Sequence, residues 1–363
     1  MVELLCPPSV LVEHCSAILR HNGLPPDHAR TVAESLVHAN LRGVDSHGVS
    51  RLPIYVERLQ LGLVERNPDV RVIEDRGAIL LLDGGNGMGH VVTAHAVDLA
   101  LERLQAHGTV SVGIRNSNHY ASGAYYVERA AARDAIAFLY GNAPPTMAAW
   151  GGVDPYLGTN PYTFAVPTGR HAPIVLDMAT SVVARGKIIQ AAARGVSIPQ
   201  GWANDALGRP TTDAEAALDG SVLPFGGPKG YGIALMIDIM AGVLTGAGFG
   251  PRVGDLYREL GRPQECGAFL QLTHSGAFQP VSTFKERIDA MIEEIKSGQR
   301  ASGVEEILVP GEIEARTAAR RKCAGIPMPS TLLDELDGIG APAGVSLRQA
   351  LPGDGRTATG ISA

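Results

Sequence analysis

Three side chains have the types and spacing for chemistry on a small anion: His47 in Asp45-Ser46-His47-Gly48, Arg51 four residues on, and His119 in Asn116-Ser117-Asn118-His119. If residues 48–52 are helical, His47 and Arg51 share a face one turn apart. A guanidinium grips a carboxylate bidentately, and an imidazole beside it can reach an oxygen on the adjacent carbon. Reducing a carbonyl requires a proton for the developing alkoxide, and histidine titrates in the useful range. The plainer reading makes both histidines caps or satisfied core groups, and eleven histidines make coincidence easy. A Ser–His–Asp triad fits poorly, since no G-x-S-x-G elbow occurs. HExxH and paired ligand spacings are missing as well, so no metal site is expected.

A second stretch, residues 171–231, joins a short apolar strand to a turn of small residues and then to a glycine-rich basic loop. Ile174 to Leu176 read as the strand, and Asp177-Met178-Ala179-Thr180-Ser181 as a turn into a helix. A helix start offers unpaired N–H groups to an anionic ligand group, and Gly226-Gly227-Pro228-Lys229-Gly230 adds a cation where glycine permits close approach. An ordinary strand-to-helix turn with a surface lysine remains the alternative. GGNGMGH at 84–90 tempts a dinucleotide-fingerprint reading, but the third glycine falls on His90, or on Val92 if counted from Gly87. The strand before it follows a hairpin, and no acidic residue ends a second strand at the right distance, so a glycine-rich turn is the better reading.

The elements that must position these groups alternate between helix and strand. Ser9 and Asp27 are candidate caps of two opening helices, and a short helix interrupted at Pro53 follows. A hairpin is expected across Asp75-Arg76-Gly77, then a helix over 90–107 and strands at 109–114 and 135–140. Helix 230–247, strand 267–272, helix 281–297, strand 306–309 and helix 312–324 complete the expected core. From Gly338 the chain is rich in Gly, Ala and Pro with few large apolar residues, and 339–363 reads as a flexible tail.

With 45% hydrophobic and 19% charged residues, the 363-residue chain can bury one large or two ordinary cores. A net charge of -6, with no basic run longer than Arg320-Arg321-Lys322, argues against a nucleic-acid surface. The four cysteines lack CxxC spacing, which points to free thiols in a reducing compartment. No secretory signal opens the chain, and the apolar segment 231–248 carries Asp238 and several glycines, as a buried helix would. A cytoplasmic protein without membrane partners is expected.

Eight ordered segments together resemble the malate/L-lactate/L-sulfolactate/ureidoglycolate dehydrogenase family: GVDSHGVSRLPIY, GNGMGHVVTAHA, IRNSNHYASGAYY, MAAWGGVDPYLGTNPYTFAVP, IVLDMATSVVARGKI, IPQGWANDALGRPTTD, LPFGGPKGYGIALMIDIMAGVLTGA and LVPGEIE. The likeness spans about residues 9–338. It implies an α/β fold with a non-Rossmann nicotinamide-binding domain around a mixed sheet, and a second α/β domain built from both chain ends. The boundaries expected are 76–281 for the first, 1–75 with 282–338 for the helical, substrate-side and dimerisation domain, and a homodimer as the assembly. The activity implied is NAD- or NADP-dependent hydride transfer between a 2-oxo acid and its 2-hydroxy acid, with reduction of a cyclic 2-imino acid as the alternative. A relative that binds nucleotide without catalysis is a third possibility, against which the presence of His47, Arg51, His119 and Lys229 speaks. By the same resemblance His47 and His119 are acid/base residues, and Arg51, with His119, binds substrate. Cofactor contacts carry over to Asn142, Asp177, Met178, Ala179, Thr180, Ser181, Lys229, Pro310, Gly311 and Glu312. Ala143 and Pro144 stand where many members keep a hydroxyl, and the 261–267 segment falls where members vary, so substrate preference does not carry over.

Overall fold

The computed structural model describes residues 3–351. The chain forms two compact units, one from the residues up to Asn67 and from Glu312 onward, the other spanning Pro68–Gly311.

The larger unit is built on a seven-stranded mixed sheet. Its strands run in the order Arg71–Asp75, Ile79–Asp83, Thr109–Ser117, Cys266–His274, Ala135–Gly141, Tyr162–Val166 and Ile174–Met178. Only Ile79–Asp83 and Thr109–Ser117 pair in parallel; every other neighbour is antiparallel. A doubly wound sheet is mostly parallel, whereas this one is mostly antiparallel, so the non-Rossmann expectation holds. Strict alternation decides which face is buried: Val110, Val112, Ile114, Ala137, Leu139, Leu270 and Leu272 point into one core. The helices Gly89–His107 and Ala124–Ala131 supply its other half through Val92, Val97, Leu104, Tyr126 and Val127. On the opposite face Phe138, Tyr140, Tyr162, Phe164 and Phe269 stack across strands, with Phe138 and Phe164 centroids 4.7 Å apart.

The smaller unit packs the helices Pro8–His21, Pro26–Leu41, Leu52–Gln60, Glu312–Ala324 and Ser330–Gly340 around a short antiparallel pair, Glu3–Cys6 with Ile326–Pro329. Neither Ser9 nor Asp27 caps. Each opening helix begins at a proline, whose fixed φ is preset for the first turn and whose missing N–H costs nothing there. Pro53 likewise starts its helix rather than interrupting it.

The units divide at 67/68 and 311/312, not at 75/76 and 281/282. The 71–83 hairpin is the sheet's own edge, so it cannot belong to the chain-end unit. Helix Val281–Ser297 stays with the sheet because Asp289 accepts the N–H groups of Gly169 and Arg170 at 3.1 and 2.8 Å, and Lys285 pairs with Asp134 at 2.5 Å. The tail expected from 339 is ordered as far as Leu351. Leu347 is fully buried, its N–H donates to Asp337 at 2.6 Å, and Arg348 pairs with Asp334 at 2.5 Å. Residues 352–363 of that expectation lie outside the described ones. The expected strand at 306–309 is irregular backbone. Among the described residues, no helix is long and apolar enough to cross a membrane.

The expected helix over 230–247 runs Pro228–Asp238 and then widens into a π turn, Ile239–Val243. Asp238 sits at the junction, 3% exposed, with Oδ2 accepting the Gly250 N–H at 3.0 Å and Oδ1 without a partner among the described residues. Burial raises its carboxyl above the ordinary range, opposed by the Gly250 N–H and the amides of Asn160 and Asn142. A pKa raised on folding means the native state holds the extra proton. That contribution is complete below the unfolded value and is lost as pH rises through the folded one. Asp238→Asn, neutral throughout, should therefore gain in urea midpoint over the parent as pH is taken from about 4 to about 8; parallel profiles for the two proteins would contradict this.

Candidate active site

In the smaller unit, His47 and Arg51 lie on two successive 3-10 turns, Asp45–His47 and Val49–Arg51, separated by an extended Gly48. The single helical turn that would have put them on one face, the expectation from sequence, is not formed. Gly48 breaks the helix because Asn40 already fills the space where a continuous turn would close: the Asn40 carboxamide oxygen takes the Val49 N–H at 2.8 Å. Ser46 Oγ lies 3.0 Å from His47 Nδ1, and Arg51 Nε donates to the Ser46 carbonyl at 2.7 Å. The short turn thus orients an imidazole and a guanidinium through one serine.

In the larger unit His119 follows the strand Thr109–Ser117 in a loop held from two sides. Gln264, 1% exposed, accepts the His119 N–H on Oε1 at 3.1 Å and donates from Nε2 to Gly254. On the other side, the glycine-rich turn at 84–90 packs against the same loop. A Cβ on Gly89 would lie 1.9 Å from the Asn118 carbonyl oxygen, so glycine there serves close approach of backbone to backbone. Asn118 Nδ2 donates to Asn86 and Gly87 in the same turn. His90, at the failed fingerprint position, is fully buried, and burial pushes its imidazole down to about 3, so it stays neutral.

Asp177 joins this loop to the 177–181 turn. Its Oδ2 accepts from Ser122 Oγ at 2.7 Å and from the Ala124 N–H at 3.0 Å, and its Oδ1 from Thr163 Oγ1 at 2.9 Å. A carboxylate at the first N–H of the 124–131 helix is also favoured by the helix dipole. Thr180 continues the weave: its hydroxyl donates to the Asn160 carbonyl, its N–H to Thr159, and its own carbonyl accepts from Phe225. Ser181 bridges Pro224 and Val182 donates to Leu223, so the 177–182 segment lies alongside the strand that leads to Lys229. The helix expected straight after Ser181 begins only at Arg185, because these bridges hold 181–182 extended.

Lys229 is exposed in the first turn of the Pro228–Asp238 helix, which has no side-chain cap. Gly226 and Gly227 before it both take left-handed backbone, and a Cβ on Gly226 would meet nothing within 4 Å. Uncapped N–H groups, one ammonium and open glycine backbone make a donor set suited to a phosphate. Met178 and Ala179 are half-buried between Asp177 and Thr180. The Asn142 side chain is committed internally, accepting the Gly267 N–H at 2.9 Å and donating to Gly248 at 2.6 Å. Pro310 accepts the Val175 N–H on the sheet's edge strand at 3.1 Å, Gly311 follows, and Glu312 opens the next helix in an ion pair with Arg316. Ser122, Thr163, Asn160 and Gln264 were missed from sequence; isolated polar residues in loops or within a strand carry no periodic signal, and each works through a partner elsewhere along the chain.

This fold belongs to a known group of dehydrogenases. Residues 7–337 match the malate/L-lactate dehydrogenase family model, and the chain belongs to that family; it is an oxidoreductase. It is 37% identical over 343 residues to an L-sulfolactate dehydrogenase of Methanothermobacter thermautotrophicus, covering 94% of this chain and 97% of the relative. Ureidoglycolate dehydrogenase (NAD(+)) of Escherichia coli O157:H7 is 35% identical, covering 82% and 85%. Among solved structures, sulfolactate dehydrogenase from Methanocaldococcus jannaschii superposes with a TM-score of 0.89 at 36% identity, covering 95% of this chain and 99% of that one. The delta1-piperideine-2-carboxylate reductase from Pseudomonas syringae pvar. tomato gives 0.84 at 28% identity, covering 92% and 99%.

Thr163→Val would strip one of three donors from Asp177 and should lower the free energy of urea unfolding by about 1–3 kcal/mol, while Thr163→Ser, which keeps the hydroxyl, should recover most of it. Equal unfolding energies for the Thr163→Val variant and the parent would show that the carboxylate does not depend on this bond.

Proposed function

We propose that the protein transfers hydride reversibly between NAD or NADP and a small 2-hydroxy acid with its 2-oxo counterpart, in the class of malate, lactate and sulfolactate. The observation that carries this is the Ser46-ordered pair of His47 and Arg51 in a chain of this family. Arg51 binds the substrate carboxylate, and His47 and His119 serve the proton at the carbonyl oxygen. When bound, the nicotinamide supplies the hydride or accepts it. Lys229 and the uncapped N–H groups beside it neutralise the dinucleotide's phosphates. Thr180, Ser181, Met178 and Ala179, with Pro310, Gly311 and Glu312, shape the cofactor's bed. Asp177 and Asn142, whose side chains hold other backbone, contribute by fixing that bed.

The exposed apolar face of Met236, Ile239, Val243 and Leu244, which lies in the larger unit, is our choice for the contact of a homodimer in place of the chain-end unit expected from the sequence. Four free cysteines, three of them buried, accord with a cytoplasmic setting. Reduction of a cyclic 2-imino acid is a second reading, favoured by the likeness to the piperideine-carboxylate reductase. It needs the same carboxylate clamp, but the imine arrives already basic and depends less on an acid.

Consumption of NADH and NADPH should be followed spectrophotometrically against pyruvate, oxaloacetate and a cyclic 2-imino acid. Turnover of a 2-oxo acid is the expected result, and nucleotide binding without oxidation of NAD(P)H across the panel would refute the proposal. Arg51→Ala should raise KM for the acid about ten- to a hundredfold, the worth of a charge-assisted pair. His47→Ala and His119→Ala should each cut kcat at least about tenfold. Wild-type turnover in either would acquit that histidine.

A further inference from the structure

We infer that Asn40 and Arg321 are positioning residues for the turn that carries His47 and Arg51. The inference rests on the functional reading above, in which Arg51 binds the substrate carboxylate.

Asn40 lies in the last turn of the Pro26–Leu41 helix and is 2% exposed. Its Oδ1 accepts the Val49 N–H at 2.8 Å and its Nδ2 donates to Asp45 Oδ1 at 2.6 Å, so one amide clamps both ends of the turn. The fit leaves no room for a side chain between them, since a Cβ at Gly48 would lie 2.1 Å from Asn40 Oδ1. Arg321 reaches the same turn from the Glu312–Ala324 helix. Its Nη1 and Nη2 donate to Asp45 Oδ1 and Oδ2 at 2.7 and 3.0 Å, and Nη1 donates also to the Asn40 carbonyl. That carbonyl belongs to a helix C-terminus, where a cation is favoured.

The clamp reaches Arg51 through the backbone. Asp45, held by both side chains, accepts Ser50 Oγ on its carbonyl at 2.8 Å, and the adjacent Ser46 carbonyl takes Arg51 Nε at 2.7 Å. An exposed ion pair alone would add little. This one is bidentate, has its arginine side chain only 13% exposed, and shares an acceptor with a buried amide, which favours a single rigid arrangement. A guanidinium that must meet a carboxylate in register depends on such rigidity, because a displacement of about 1 Å can cost on the order of a hundredfold.

The test compares Arg321→Met, Arg321→Lys, Asp45→Asn and Arg51→Ala in the full chain, measuring KM and kcat for the 2-oxo acid, the dissociation constant for NADH or NADPH by fluorescence, and melting temperature. Arg321→Met and Asp45→Asn should raise KM for the acid about tenfold and leave the nucleotide dissociation constant within about twofold. Arg321→Lys, which keeps the charge but not the fork, should recover part of the loss. If Arg321→Met fails to fold, Asp45→Asn and Arg321→Lys carry the comparison. Arg51→Ala with wild-type KM would sink the functional reading itself. If Arg51→Ala is impaired while the folded clamp variants keep wild-type KM for the acid, the positioning role alone is refuted. A fall in melting temperature with KM unmoved refutes it equally.

Discussion

A half-buried carboxylate needs donors, and Asp177 takes them from three directions. One oxygen is shared by the Ser122 hydroxyl and the Ala124 N–H, the other belongs to Thr163. Those three donors sit in the loop after His119, at the start of a helix and on a neighbouring strand, so the charge cannot be satisfied unless all three are in place. Much of the larger unit's functional end follows from this. The edge strand Ile174–Met178 is anchored at its last turn, the 124–131 helix gains an acid at its positive end, and the His119 loop is pinned at Ser122. Tyr120 is drawn into the core beside it, where burial and then the neighbouring Asp177 charge raise its phenol well above the usual range.

The smaller unit solves the same problem with a neutral group. Asn40 offers an acceptor and a donor from one carboxamide and so holds Asp45 and Val49, on either side of Gly48, without burying a lone charge. Glycine at 48 is the consequence, and the break it introduces gives two 3-10 turns in place of a helix. Both histidine-bearing segments, one of short 3-10 turns and one a loop, are thus held by buried amides, Asn40 for the first and Gln264 for the second. Such segments suit chemistry, since loop residues placed by a rigid scaffold can present side chains that regular elements cannot. The fold alone does not specify a reaction.

Much was legible from the residues in order. Apolar alternation gave strands 109–114, 135–140 and 267–272 where the structure has 109–117, 135–141 and 266–274, and helical spacing gave 90–107, 281–297 and 312–324 within a residue of the observed helices. The misplaced glycines of 84–90 correctly excluded a Rossmann site, and the eight segments pointed to the right family. What failed did so for local reasons. Prolines replaced side-chain caps at the first two helices, an apolar run at 306–309 found no strand to pair with, and a glycine-rich end proved to contain one leucine that buries completely.

The order of residues, with no coordinates, offered a guanidinium and two imidazoles as candidates for chemistry on a small anion, and showed elements that alternate to build an α/β protein; the family resemblance, not their spacing, raised the first above coincidence. Spacing and period, which brought out the alternation, are properties of neighbours along the chain. The tertiary structure alone decided what holds the groups still. Ser122 meets Asp177 across 55 positions, Gln264 meets His119 across 145, and Arg321, in sequence merely the middle of a short basic run, meets Asp45 across 276. No periodicity encodes such pairs, because a hydrogen bond depends on where two backbones pass in space and not on how far apart their residues are numbered.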